Sequence, residues 1–105
     1  MQRDLVDNNY KEKPMDNQES AVLTVVGIND VGILARTAAC VAEANGNVIQ
    51  VSQIVMDKFF TMNMLIDITG LKGSIRELED ALKERLTGME VHLMHENIFN
   101  SMHRI

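Results

Sequence analysis

A chain of 105 residues has room for one domain, and at 46% hydrophobic content it buries about 65% of its unfolded surface, enough for a modest core and too little for a two-domain enzyme. Ten Lys and Arg against fifteen Asp and Glu leave a formal charge of −5, whose field repels phosphate backbones and anionic membranes and argues against nucleic-acid partners. The single Cys40 makes neither an internal disulfide nor a thiolate-rich metal site, no apolar run approaches a membrane span, and MQRDLVDNNYKEKPMDNQES lacks the apolar centre of a secretion signal, so the expected location is the cytoplasm.

Residues 1–20 carry Arg3, Lys11 and Lys13 beside Asp4, Asp7, Glu12, Asp16 and Glu19, with only Leu5, Val6, Tyr10 and Met15 as larger apolar groups. Such a segment buries too little surface to offset its ordering entropy, and a flexible polar tail is expected, with one domain over 21–105. AVLTVVGI then reads as a largely buried strand, followed by the turn formers Asn29-Asp30-Val31-Gly32, where Asp30 offers a helix N-cap carboxylate. ILARTAACVAEAN predicts a slim helix with Leu34, Ala38, Val41 and Asn45 at helical spacing, stopped by Gly46 in a left-handed conformation.

NVIQVSQIVM and FFTMNMLIDI predict two strands joined tightly at Asp57-Lys58. On the second, strict alternation puts Phe60, Met62, Met64, Ile66 and Ile68 on one face and Thr61, Asn63 and Asp67 on the other. Ser74 and Glu77 have capping-box spacing ahead of a helix whose apolar stripe is Ile75, Leu78, Leu82 and Leu86. After Gly88, MEVHLMHE alternates as a last strand, and NIFNSMHRI, with Ile98, Phe99, Met102 and Ile105 on one side, predicts a short C-terminal helix, packed on its own domain or across a dimer seam. The order β-α-β-β-α-β implies an α+β ferredoxin-like sandwich, a four-stranded antiparallel sheet with two helices on one face.

That architecture serves many functions, so function has to be argued from residues. His92 and His95 leave opposite faces of a strand and His103 is distant, so no metal site is expected. Cys40 lies mid-helix among small apolar residues, where a buried, inert thiol is the ordinary outcome. Ser52 and Ser74 have no evident base, and Glu77, Glu79, Asp80 and Glu84 decorate a solvated helix face, so no catalytic residue is assigned and no cofactor is expected. The open sheet face lacks the aromatic platform of an RNA binder, and Gly27 and Gly32 are followed by Ile33 and Leu34 instead of the Lys and Ser/Thr of a phosphate loop.

The first loop remains. Asn29-Asp30-Val31-Gly32 lies where a strand gives way to a helix N-terminus, whose free N–H groups favour a carboxylate, and Asn47 opens the second strand. Asn side chains both donate and accept, as recognition of an α-amino acid requires. The same residues also serve as ordinary turn and cap formers.

The segment TVVGINDVGILARTAACVAEANGNVIQVSQ resembles the opening half of an ACT domain, the small regulatory module of amino-acid metabolism. DKFFTMNMLIDI and HENIFNSMHRI further resemble a family of short proteins made of one ACT domain, and the whole is similar to the ACT halves of the glycine-cleavage transcriptional repressor. The resemblance covers residues 21–105. It implies a homodimer that binds a small amino acid between two copies, using Asn29, Asp30, Val31, Gly32 and Ile33 of one and Asn47 of the other. A His that serine-binding ACT domains carry two residues before the loop Asn falls on Gly27, and their Pro before the loop Gly falls on Val31. The expectation is a non-catalytic amino-acid-binding regulatory module; its rival is a ligand-free dimeric scaffold that docks a partner protein through Ile98, Phe99 and Met102.

Overall fold

The computed structural model describes residues 18–102. The expected tail falls outside the described residues except for Gln18, Glu19 and Ser20, and the expected C-terminal positions His103 and Ile105 also lie outside them. The elements are β1 (Ser20–Ile28), α1 (Ile33–Glu43), β2 (Asn47–Met56), β3 (Phe59–Asp67), α2 (Ile75–Arg85), β4 (Glu90–His95) and α3 (Glu96–Met102). β1 pairs antiparallel with β3 and β4, and β3 with β2, giving the order β2-β3-β1-β4 of the ferredoxin-like βαββαβ fold.

The core lies between the sheet and the layer of α1 and α2. Phe60, Met62, Met64, Ile66 and Ile68 are all buried, as the alternation in β3 predicts, and meet Leu23 and Val25 of β1, Val91 and Leu93 of β4, and Leu78, Leu82 and Leu86 around α2. The capping box forms in full: Ser74 Oγ accepts from the Glu77 N–H at 3.1 Å, and Glu77 Oε1 accepts from the Ser74 N–H at 3.0 Å.

In α1 the structure departs from the sequence reading in three respects. The buried stripe is Ile33, Thr37, Cys40 and Val41, with Leu34 turned outward at its margin, because the helix is rotated so that its first residue rather than its second meets the sheet. The left-handed residue after the helix is Asn45 (φ 64), not Gly46. The Asn45 N–H donates to Ala42 O and the Gly46 N–H to Val41 O, each at 2.9 Å, which is a Schellman closure with Asn45 at its left-handed position. Gly46 is needed for closeness: a Cβ there would lie 2.9 Å from Val41 Cγ1 and 3.2 Å from Ile66 Cγ2. The third departure is at the other end, where Gly32 is the N-cap and no side chain caps the helix, so Asp30 does not play the capping role.

The two sheet edges differ. On β4 the Leu93 N–H donates to Glu79 Oε2 of α2 at 2.9 Å, so a carboxylate guards that edge. The outer edge of β2 has no such cover among the described residues, and its Ile49, Val51, Ile54, Val55 and Met56 are all exposed. A shift of register between Val48 and Gln50 bulges this strand near its start. On the face away from the helical layer, α3 packs on β1 and β4 of its own sheet. Phe99 is half-buried there and Ile98 faces solvent.

Candidate functional site

The first loop is fixed at both ends by backbone. The Asn29 N–H donates to the Lys58 carbonyl in the β2–β3 turn at 2.8 Å, and the Arg36 N–H donates to Gly32 O at 2.9 Å as the first bond of α1. Gly32 adopts φ 75, ψ 18, in which a side chain is strained, and a Cβ there would meet nothing within 4 Å. Space above Gly32 is therefore open, and the first turn of α1 has no acidic residue. Its free N–H groups make a favourable seat for an anionic group. Val31 stands at the loop tip, 88% exposed.

Asp30 turns back on its own loop: Oδ1 accepts from the Val31 N–H at 2.7 Å and Oδ2 lies 3.8 Å from Arg36 Nη2. Arg36 is a part of this site that sequence reasoning missed. Its Nη2 donates to Val31 O at 3.0 Å, Nε to Gly32 O at 3.4 Å, and Nη1 to Arg85 O at the end of α2 at 3.4 Å. One side chain thereby ties the loop to both helices. Nothing in the sequence marks it, because all three acceptors are backbone carbonyls and one lies 49 residues away. Between the loop and the turn after α2 is a cavity of about 370 Å³, lined by Asn29, Asp30, Arg36, Thr87, Gly88 and Met89 among others.

Asn29, Asp30, Val31, Gly32 and Ile33 are thus brought together, whereas Asn47 is not with them. Asn47 opposes Asp67, which opposes Ser20 at the start of β1, while the loop follows Ile28 at its end. The two ends of β1 are about 26 Å apart at roughly 3.3 Å per residue. One chain alone cannot bring Asn29 and Asn47 to a single small ligand.

The other chemistry-bearing residues sit apart. Cys40 is buried, and burial pushes its thiol above the usual range, with the nearby Arg85 acting in the opposite sense. His92 lies 3.3 Å from Glu90 and His95 lies 3.6 Å from Glu19. Among the described residues no three His, Cys, Asp or Glu side chains converge as a metal site, and no helix is long and apolar enough to cross a membrane. Gly27 is packed against Met89, whose side chain a Cβ would approach to 2.9 Å.

Comparison with known proteins agrees with this architecture. A UPF0237 protein of Clostridium perfringens is 42% identical over 88 residues, covering 82% of this chain and 99% of the relative. Among solved structures, an ACT domain protein from Streptococcus pneumoniae superposes with a TM-score of 0.64 at 28% identity, covering 77% of this chain and 93% of that one. A putative glycine cleavage system transcriptional repressor shares the fold with a TM-score of 0.59 at 23% identity, over 74% of this chain and 46% of that one. The model of the ACT domain matches residues 19–96, from the residue before β1 to the start of α3, and with the βαββαβ sheet and the glycine-capped first loop it shows that the chain belongs to the ACT-domain family.

Proposed function

We propose that this protein is a cytoplasmic regulatory module that binds a small amino acid and works as a homodimer, with the ligand held between Asn29, Asp30, Val31, Gly32 and Ile33 of one copy and Asn47 of the other. The observation that carries this reading is the asymmetry of the two sheet edges. β4 is guarded by Glu79, whereas β2 presents unpaired backbone and a run of exposed apolar side chains. Bare edges of this kind are unstable against pairing with another strand, and two-fold antiparallel pairing of β2 with its own copy is the simplest cover.

That pairing also addresses the separation of the two asparagines. Antiparallel alignment lays the Asn47 end of one β2 beside the Met56 end of the other, and Met56 is at the end of the sheet where the first loop emerges. A ligand carboxylate then meets the free N–H groups of α1 over Gly32, and two Asn amides complete the recognition. A ligand held by both copies stabilises the dimer by linkage, which is how binding would reach a regulated partner. The free, buried Cys40 accords with a reducing compartment.

A thermal-shift panel of the twenty amino acids at two protein concentrations tests the reading. A saturable, stereospecific rise in Tm that Asn29→Ala and Asn47→Ala both abolish is the expected result. A rise undiminished in both variants removes the site assignment. A Tm that depends on protein concentration but on no amino acid favours the second reading, a ligand-free dimeric scaffold, for which the exposed Ile98 on α3 offers an apolar contact to a partner protein.

A further inference from the structure

The face of the sheet away from α1 and α2 is built of rows that the strand register fixes. Val22 of β1 stands between Leu65 of β3 and Met94 of β4, Thr24 between Asn63 and His92, and Val26 between Thr61 and Glu90. α3 rests on the β1 and β4 side of this face, near the start of β1. Beside it are two hollows of about 320 and 500 Å³ that share Val22, Asn63 and Phe99. Towards the other end of the face, Val26, Ile28, Ile54, Met56 and Phe59 form one cluster and are all exposed: Ile28 opposes Phe59, Phe59 opposes Met56, and Ile54 and Val26 flank Thr61. A contiguous apolar patch of this kind marks a surface that something covers.

The length of chain ahead of β1, and the place where it joins the sheet, single out an occupant. Residues 1–17 precede the described chain, which is pinned where it enters: the Glu19 N–H donates to Thr69 Oγ1 at 2.9 Å, and Glu19 O accepts from the Ile68 N–H at 2.8 Å. The segment thus begins at the α3 end of the face, and Asp16-Asn17 are turn formers at the point where the chain must reverse to lie on it. Met15 comes next, and Tyr10 is five residues further, about 16 Å away at roughly 3.3 Å per extended residue. With Met15 over Val22 and Leu65, Tyr10 reaches the cluster, because Val26 and Ile28 lie about 13 and 20 Å from Val22 on the same rise. Between the two anchors Lys11 and Lys13 outnumber Glu12, the balance that Glu90, the one carboxylate in these rows, favours. A segment too polar to fold alone can dock on a surface that is already ordered, and tethering holds its local concentration at about millimolar.

We propose that the open sheet face is the docking surface of the chain's own N-terminal segment, with Met15 in the hollows beside α3 and Tyr10 on the apolar cluster. Another protein that takes this face must displace the segment, which makes it an intramolecular competitor. Docking there leaves the outer edge of β2 and Asn47 uncovered, so it stands apart from the pairing proposed above.

Two measurements on the full-length chain test this. In the first, p-benzoylphenylalanine replaces Tyr10, and the isotope-labelled variant is irradiated in the presence of unlabelled wild type. Crosslinks within the labelled chain to the peptides holding Ile28 or Met56 are the expected result; a crosslink to the unlabelled copy, to any other surface, or to nothing overturns the proposal. In the second, oxidation of the exposed Met56 by hydrogen peroxide is followed by mass spectrometry. The double variant Tyr10→Ser, Met15→Ser should oxidise at Met56 at least threefold faster than wild type, with an unchanged circular dichroism spectrum showing that the domain is intact. Equal rates overturn the proposal even where crosslinks form.

Discussion

The amide Nδ2 of Asn45 donates to the carbonyl of Gly70 at 2.8 Å, joining the end of α1 to the loop that leads into α2. The same residue holds the left-handed backbone position that closes α1, so one side chain terminates a helix and docks the next loop. Asn45→Ala loses the hydrogen bond and the tolerance of the left-handed region that the Asn side chain has and Ala lacks, together about 2 kcal/mol. Asn45→Gly loses only the bond and should be milder. Urea denaturation of the two variants checks the order; equal losses would mean that the backbone conformation contributes nothing.

Gly46 and Gly32 are both glycine for different reasons, and alanine separates them. At Gly46 the added Cβ would meet Val41 and Ile66, with an overpacking cost of about 1–3 kcal/mol. At Gly32 it meets nothing, so the cost is the left-handed strain alone, about 1 kcal/mol. Chemical denaturation of Gly46→Ala and Gly32→Ala measures both. A Gly32→Ala variant less stable than Gly46→Ala would contradict this assignment.

Glu43 and Arg85 form an exposed ion pair between the end of α1 and the end of α2. The hydrogen bond from Arg85 holds the Glu43 carboxyl below its ordinary 4.5. A carboxylate with a depressed folded-state pKa adds stability above its unfolded-state value and loses it as the pH falls through the folded-state value. Glu43→Gln should therefore lower Tm slightly at pH 7, and the gap to wild type should close below pH 4.5. A gap that widens on acidification would reverse the sign.

Val51 and Val55 lie on the uncovered edge strand and are 37% and 53% exposed, so lysine there costs little in the isolated chain. If β2 is the seam of the homodimer, Val51→Lys with Val55→Lys converts the protein to a monomer by light scattering and removes the concentration dependence of Tm. An unchanged two-chain mass would place the seam elsewhere, and a monomeric wild type at tens of micromolar would remove the dimer from the proposed function.

Local pattern made much of this protein legible. The two-residue alternation of Phe60, Met62, Met64, Ile66 and Ile68 needs only the geometry of a strand to become one face of a core, and Ser74 with Glu77 needs only one turn of helix to form its reciprocal cap. The order of elements, with the loop Asn29-Asp30-Val31-Gly32, was enough for the ACT resemblance. Tertiary structure decided what local pattern leaves degenerate. Ile33 rather than Leu34 faces the sheet because adjacent helix positions differ by only about 100° of rotation, and packing of the small-residue helix selects between them. Asn45 rather than Gly46 takes the left-handed position because the crowding of Val41 and Ile66 claims the glycine. Arg36 joins the loop to both helices through backbone carbonyls, which every residue possesses, so no spacing in the sequence encodes it. The bare edge of β2 and the guarded edge of β4 likewise depend on which strands lie outermost and on where Glu79 reaches, which are properties of the folded sheet alone.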